Sequence, residues 1–419
     1  MSTPRDMNVI TAVEAAQADA LREAMVAELG EMRAIRSDRV ADAFRAVPRH
    51  LFAPGEPLEA VYAADSALVI KRDEHGAAVS LVSSAHIQAT MLEQAQLGPG
   101  MRVLEIGSGG YNAALIAELV GESGQVTTVD IDPDIVDRAQ DCLAAAGYNK
   151  VNMVVADAEG GVPDYAPYDR VIVTAGAWDL PPAWLDQLAD DGRIVVPLRM
   201  RALTRSVAFE RNMDHLVSRG YHLCGFVPMQ GAGAHTELLV SLDGDEVGLR
   251  IDGKQPVDVD RLREALFQPR VERWSGVELG GFEPIDNLDL WLATVVDDFG
   301  LLTATKDAID SGLVAKSARV GAKTIMADRT FAYRASARPV DLARTRFELG
   351  VYAHGPEADA LAKEYVELIR TWDRDHRAGP GGRIEVYPAR TPDAELPLGR
   401  VIDKKHTRVV ISWPGRWIS

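Results

Sequence analysis

The chain has 419 residues, 47% of them hydrophobic and 26% charged, with a formal net charge of −17. That length exceeds what one hydrophobic core usually serves, so two domains are expected, and the acidic balance argues against nucleic-acid phosphates as a partner. Two widely separated cysteines, Cys142 and Cys224, argue against a disulfide framework or a cysteine-held metal, so no metal is expected.

No apolar stretch reaches the ~18 residues that a membrane span needs. The opening Met1-Ser2-Thr3-Pro4-Arg5-Asp6 lacks the basic-then-apolar order of a secretory leader, which gives a cytoplasmic expectation with no membrane partner. From about Thr11 to Val47, apolar residues such as Leu21, Met25, Leu29, Val40 and Phe44 recur at helical spacing. Two helices broken near Arg36-Ser37-Asp38 are expected, with Ser37 or Asp38 as N-cap of the second and a Pro/Gly loop from Val47 to Gly55 ending them.

Val103-Leu104-Glu105-Ile106 then breaks into Gly107-Ser108-Gly109-Gly110 and resumes at Tyr111 as an alanine-rich helix. Strand, glycine turn and helix together make a nucleotide-type site, because glycines let the backbone approach a ligand and the helix start offers free N–H groups. Glu105 lies two residues before the first glycine, where a pyrophosphate would be repelled and a cationic sulfonium or amino group favoured. S-adenosylmethionine is therefore expected in place of a dinucleotide.

Three further β-rich runs follow. Gln125 to Asp130 ends in an acid able to take two ribose hydroxyls, with Ile131 next to it. Val151 to Asp157 closes on an acid suited to an adenine amino group, followed by Ala158, and Tyr168 to Ala175 brings Thr174 to the same edge. Each acid by itself also suits a strand-end turn, but open α/β sheets bind ligands at the carboxyl ends of successive strands. Strands and helices alternating from Val103 to about Pro197 predict a parallel, Rossmann-like α/β domain with N-terminal helices.

A boundary is expected at Gly231-Ala232-Gly233-Ala234, giving domains 1–230 and 231–419. Beyond it, Leu238 to Leu242 and Val247 to Ile251 read as a hairpin around Asp243-Gly244-Asp245, and Asp258 to Phe267 as a helix. Arg346 to Tyr352, Arg383 to Tyr387 and Thr407 to Trp413 alternate like antiparallel strands, with a helical period from Glu357 to Trp372, so the second domain is read as α+β. The basic run Lys404-Lys405-His406-Thr407-Arg408 with Trp413 and Trp417 fits either a peptide-binding surface or a lysine-guarded strand edge over a tryptophan core.

Up to about residue 230 the chain resembles the protein L-isoaspartyl O-methyltransferase family. The resemblance rests on Ser37-Asp38-Arg39-Val40, Val47-Pro48-Arg49-His50-Leu51-Phe52, Asp65-Ser66-Ala67-Leu68-Val69-Ile70, Val82-Ser83-Ser84-Ala85-His86, Glu105 to Gly109, Val173 to Ala177 and Asp191 to Pro197, in that order. It departs from the family at three places: the glycine loop is one residue shorter, Ala85 replaces a proline, and Lys71 to Ala78 is inserted before the substrate loop. The C-terminal half is similar to the extension of methyltransferases encoded with lanthipeptide-type and related macrocyclic ribosomal peptides, in particular at Ile285-Asp286-Asn287-Leu288-Asp289-Leu290-Trp291-Leu292-Ala293.

The resemblance implies S-adenosylmethionine as methyl donor, S-adenosylhomocysteine as product, and a peptide or protein carboxylate as acceptor. By family match Ser83 contacts that carboxylate, with Asp65 and His86 beside it; a helix cap, a turn former and a helix-surface histidine are the alternative roles. On the cofactor side Glu105 is expected to influence the methionine amino group directly or through the loop, Gly107, Ser108 and Gly109 to shape that loop, Asp130 to take ribose, and Asp157 with Ala158 adenine. Tyr111 either packs over the cofactor or fills the first turn of its helix. The leading expectation is esterification of an aspartate in a macrocyclised ribosomal precursor peptide, leading to succinimide and isoaspartate. Repair-type methylation of isoaspartyl residues in damaged proteins is the alternative. Amino-methylation of nucleic acid calls for Asn/Asp-Pro-Pro-aromatic after the fourth strand, where Val173-Thr174-Ala175-Gly176-Ala177 stands.

Overall fold

The structure is a computed structural model that describes residues 12–107, 109–252, 258–281 and 283–414. Met1 to Asp6, Thr11, Ser108 and Trp417 lie outside the described residues. The chain divides into two units, the first running to Leu198 and including Arg205–Ala234, the second made of Arg199–Thr204 and the residues from His235 onward. The boundary therefore falls after Ala234, four residues beyond the expected one, because Ala232 N–H donates back into the first unit, to Asp157 Oδ2 at 2.8 Å.

In the first unit α1 (Ala12–Glu31) and α2 (Asp38–Ala46) lead into α3 (Leu58–Val61). Ser37 caps α2 by accepting from Val40 N–H at 3.4 Å, and Val40, Ala41, Ala43 and Phe44 form its buried face. A hairpin of β1 (Leu68–Arg72) and β2 (Ala78–Val82) follows, then α4 (Ala85–Ala95). Next come β3 (Arg102–Ile106), α5 (Tyr111–Val120), β4 (Gln125–Asp130), α6 (Pro133–Ala145), β5 (Asn152–Val155), β6 (Tyr168–Val173), α7 (Pro182–Asp186), β7 (Leu188–Met200), β8 (Leu203–Asn212) and β9 (His215–Leu223).

The strand order in this unit is β9-β8-β7-β6-β3-β4-β5. From β7 to β5 the neighbours are parallel, and β8 pairs antiparallel with β9. Val103, Leu104, Glu105 and Ile106 are all buried, as a central strand covered on both faces requires. The winding reverses between β3 and β6, and the crevice outside the carboxyl ends of those strands is where such sheets take ligands. Rossmann-like α/β architecture is thus the fold of this unit, as the sequence pattern predicts.

The second unit contains β10 (Leu238–Asp243), β11 (Val247–Ile251), α8 (Val259–Leu266), β12 (Val271–Gly280), α9 (Asp286–Val295), β13 (Phe299–Ala304), α10 (Lys306–Asp310), β14 (Ala322–Ala327), β15 (Thr330–Arg334), β16 (Arg338–Pro339) and β17 (Arg346–His354). It ends with α11 (Ala358–Asp375), β18 (Arg383–Pro388), β19 (Arg400–Asp403) and β20 (Thr407–Ser412). An antiparallel sheet runs β10-β11-β13-β14-β15-β17-β12, and β18 and β19 both pair antiparallel with β20. Leu242, Leu249, Leu262, Leu302 and Phe331 share its core, and the α+β reading holds. Trp413 is a core residue, stacked edge-on to Trp291 at 5.7 Å, while Arg408 is held by Asp403 at 2.6 Å and Asp393 at 2.7 Å. The tryptophan is thus core, but Thr407 and Arg408 lie on β20, which β18 and β19 flank on both sides, so the basic run is not a strand edge. Among the described residues no helix is long and apolar enough to cross a membrane.

Candidate active site

A cleft open to solvent lies at the carboxyl ends of β3, β4, β5 and β6. Its wall contains Gly107 and Gly109 after β3, Asp130 and Ile131 at the end of β4, Asp157 and Ala158 after β5, and Thr174 after β6. Ser83 enters from the loop between β2 and α4. Eight residues singled out in the sequence thus share one cavity; seven of them end or follow β3, β4, β5 or β6, which end at the same edge, and Ser83 comes from the separate β1–β2 hairpin.

Gly107 turns the backbone sharply at φ +97°, and a Cβ there would lie 2.5 Å from Thr174 Oγ1. That hydroxyl donates to the carbonyls of Ile106 at 3.0 Å and Gly107 at 2.9 Å, so β6 clamps the turn. At Gly109 a Cβ would meet Leu81 O at 3.3 Å, which shows how closely the β1–β2 hairpin overlies the loop. The hairpin is fastened on its far side as well: Lys71 Nζ reaches Asp132 at 2.6 Å and Asp134 at 2.9 Å, at the start of α6.

The strand-end acids are oriented by backbone donors. Asp130 Oδ1 accepts from Asp132 N–H at 3.0 Å. Asp157 Oδ1 accepts from Glu159 N–H at 3.0 Å and its Oδ2 from Ala232 N–H at 2.8 Å. Both also act as the strand-end turn residues of the alternative reading, and the same bonds fix their carboxylates against the cleft.

Four expected contacts are placed elsewhere. Glu105 is fully buried behind the loop, accepting from Asn112 Nδ2 at 2.8 Å and Thr128 Oγ1 at 2.6 Å, so it braces the turn from within the sheet. Tyr111 is fully buried between Phe44, with ring centroids 6.2 Å apart, and Phe52 at 5.6 Å, so it fills the first turn of α5 and does not cover the cleft. Asp65 is exposed and accepts from Ser66 Oγ at 3.2 Å. His86 is half-buried and ties the start of α4 to Ala64 O, at 2.9 Å through its backbone N–H and 3.2 Å at Nδ1. The N-cap of α4 is Ser84 and carries no side-chain cap bond, so the capping alternative for Ser83 does not hold.

Burial pushes the Glu105 carboxyl up to about 7. The folded chain then holds this proton more tightly than the unfolded one, so the associated stability is full below the ordinary carboxylate range and is lost as pH rises through about 7. Glu105→Gln is expected to flatten the decline in Tm between about pH 5 and pH 8. An unaltered decline in thermal melts would remove Glu105 as its source.

Two groups in the site carry no sequence expectation. Phe226, Val227, Pro228, Met229 and Gln230 return after β9 to line the cleft, held by Gly176 N–H to Val227 O at 2.8 Å and Met229 N–H to Gly176 O at 3.1 Å. An apolar run between β9 and a glycine cluster was the available signal, legible only as a domain boundary. Arg49 is fully buried and donates to Val61 O, Gln88 Oε1 and Ser83 O, each at 2.8 Å.

A profile of the family described as protein-L-isoaspartate(D-aspartate) O-methyltransferase matches residues 20–234. The chain belongs to this family. The protein-L-isoaspartate O-methyltransferase of Methanopyrus kandleri is 40% identical over 213 residues, covering 50% of this chain and 91% of that protein. Its counterpart from Methanococcoides burtonii is 39% identical over 194 residues, covering 46% and 92% respectively. A solved structure of a protein-L-isoaspartate O-methyltransferase is 24% identical, covers 87% of this chain and 96% of that chain, and gives a TM-score of 0.48.

Members of this family are S-adenosylmethionine-dependent O-methyltransferases, and the residues present fit that cofactor. The Gly107 turn brings bare backbone to the cleft wall, two strand-end carboxylates, Asp130 and Asp157, stand on the same wall, and the described lining holds no cation to oppose a sulfonium. Among the described residues no cluster of histidine, cysteine or acidic side chains has metal-binding geometry.

Proposed function

We propose that the chain methylates the free carboxylate of L-isoaspartyl residues in proteins or peptides, the repair-type reaction. The observation that carries this reading is the position of Ser83 on the same cleft as Gly107, Asp130 and Asp157. The family match and the two archaeal relatives support it over the macrocyclic-peptide reading, which rests on the family order together with the C-terminal half, and that half lies beyond the matched residues 20–234.

Asp157 and Ala158 would hold adenine, Asp130 ribose, and the Gly107–Gly109 turn the methionine end. When bound, S-adenosylmethionine supplies an electrophilic methyl carbon on a positively charged sulfur. The acceptor carboxylate, with an ordinary pKa of about 4, is already ionised at neutral pH, so no general base is required. The lining agrees with that economy: Ser80, Ser83, Thr174 and Gln230 offer hydroxyl or amide groups, and no histidine, lysine or cysteine stands among them. Ser83 Oγ makes no hydrogen bond to another described residue and is available to donate to one carboxylate oxygen, aiming the other at the methyl carbon. As the new C–O bond forms the C–S bond breaks, its electron pair stays on sulfur, and a neutral ester results. Phe226, Val227 and Pro228 give the approach an apolar wall.

The ester decays without the enzyme. The next backbone nitrogen attacks it, methanol leaves, and water opens the succinimide to aspartate or isoaspartate, so repeated cycles drain the isoaspartyl form. Methyl-labelled cofactor incubated with one peptide in L-isoaspartyl, linear L-aspartyl and cyclised L-aspartyl forms tests the assignment. Label is expected in the isoaspartyl peptide alone; label confined to the cyclised aspartyl peptide would instead establish the biosynthetic reading. Ser83→Ala is expected to lower kcat/KM by roughly 10- to 100-fold with the affinity for S-adenosylhomocysteine unchanged. Undiminished turnover in this variant would remove Ser83 from the acceptor site.

A further inference from the structure

The Arg49 guanidinium is surrounded by neutral groups. Its three hydrogen-bond acceptors are two backbone carbonyls and the side-chain oxygen of Gln88, and its fourth neighbour is the face of the Tyr111 ring, 4.7 Å from Cζ. No carboxylate of the described residues lies within ion-pair distance of it. A guanidinium stays protonated at physiological pH even when burial weakens its hold on the proton, so this is a buried positive charge without a counter-ion, an arrangement that is costly to maintain. The charge also points somewhere specific: Nη2 ends on the carbonyl of Ser83, whose residue lines the cleft.

We propose that Arg49 is a positioning residue that selects an anionic acceptor, the substrate carboxylate beside Ser83 serving as its missing counter-ion. The inference rests on the reading of Ser83 as the acceptor site. Arg49 fixes the loop through the Ser83 carbonyl and, through its charge, favours a carboxylate over a neutral group of the same shape. Methylation converts that carboxylate to a neutral ester, so the attraction that holds the substrate ends with the reaction and favours release of the product.

Because charge is partly cancelled as the methyl group is transferred, Arg49 stabilises the ionised ground state more than the transition state. Its removal therefore raises KM and, by the smaller share of the interaction that is lost in the transition state, raises kcat slightly. The test compares two peptides that differ only in an isoaspartyl carboxylate or the corresponding carboxamide, titrated by calorimetry into the full chain saturated with S-adenosylhomocysteine. Wild type is expected to prefer the carboxylate roughly tenfold, Arg49→Lys to keep most of that preference, and Arg49→Gln to bring the ratio near one. In turnover assays Arg49→Gln should raise KM with kcat changed less than about threefold.

A purely structural role would weaken both peptides alike and leave their ratio intact, which would overturn the proposal. A wild-type ratio near one overturns it without any variant, so the test survives even if Arg49→Gln does not fold. If wild type binds S-adenosylhomocysteine but neither isoaspartyl peptide, the isoaspartyl assignment is what fails. The same acid and amide pair built on aspartate then decides the role of Arg49.

Discussion

Gly107→Ala is expected to weaken the affinity for S-adenosylhomocysteine on the order of 100-fold and to lower the stability of the chain by about 2–4 kcal/mol. Two costs combine. At φ +97° an L-residue is strained by about 1–2 kcal/mol, and the new methyl group would lie 2.5 Å from Thr174 Oγ1. Thr174 cannot turn away cheaply, since its hydroxyl donates to the carbonyls of Ile106 and Gly107 and would leave the clamp that shapes the turn. The turn must shift, and with it the backbone that approaches the methionine end of the cofactor. Calorimetric titration and a thermal melt read the two effects separately; a dissociation constant within about threefold of wild type would sink the role given to this turn.

Asp157→Ala is expected to cost a comparable factor in cofactor affinity by a different route. The carboxylate accepts from Glu159 N–H and Ala232 N–H, charge-assisted bonds of about 2 kcal/mol each, and it offers the acceptor assigned to adenine. Its removal leaves the Ala232 end of the segment that closes the cleft without its anchor, so hydrogen exchange should accelerate across residues 226–232 as the affinity falls, while β3 and β4 retain their protection. Asp157→Asn keeps the shape and one acceptor oxygen, and is expected to recover part of the affinity. Equal losses in both variants would indicate that the side chain supports the fold and does not read the cofactor.

The parts of the site that were legible in the sequence are those set by neighbours along the chain. A β-rich run that ends in an acid, or in glycines followed by a helix, needs only local periodicity and turn chemistry to be recognised. Parallel pairing then carries Gly107, Asp130, Asp157 and Thr174 to one edge as a group. For Glu105 and Tyr111 the sequence left two roles open each, because adjacency to a glycine turn says nothing about which way a side chain goes. Glu105 points into a sheet covered on both faces, and Tyr111 turns toward Phe44 and Phe52.

Residue order and type were sufficient for the α/β unit with its nucleotide-type edge and for the α+β character of the residues after it. Folding alone decided that Phe226 to Gln230 return to line that cleft, that Ala232 fastens to Asp157 across 75 positions, and that Arg49 lies under Ser83 across 34. The physical reason is that these contacts join segments without any shared local pattern. Their hydrogen bonds exist once burial has brought distant backbone groups together and left each in need of a partner.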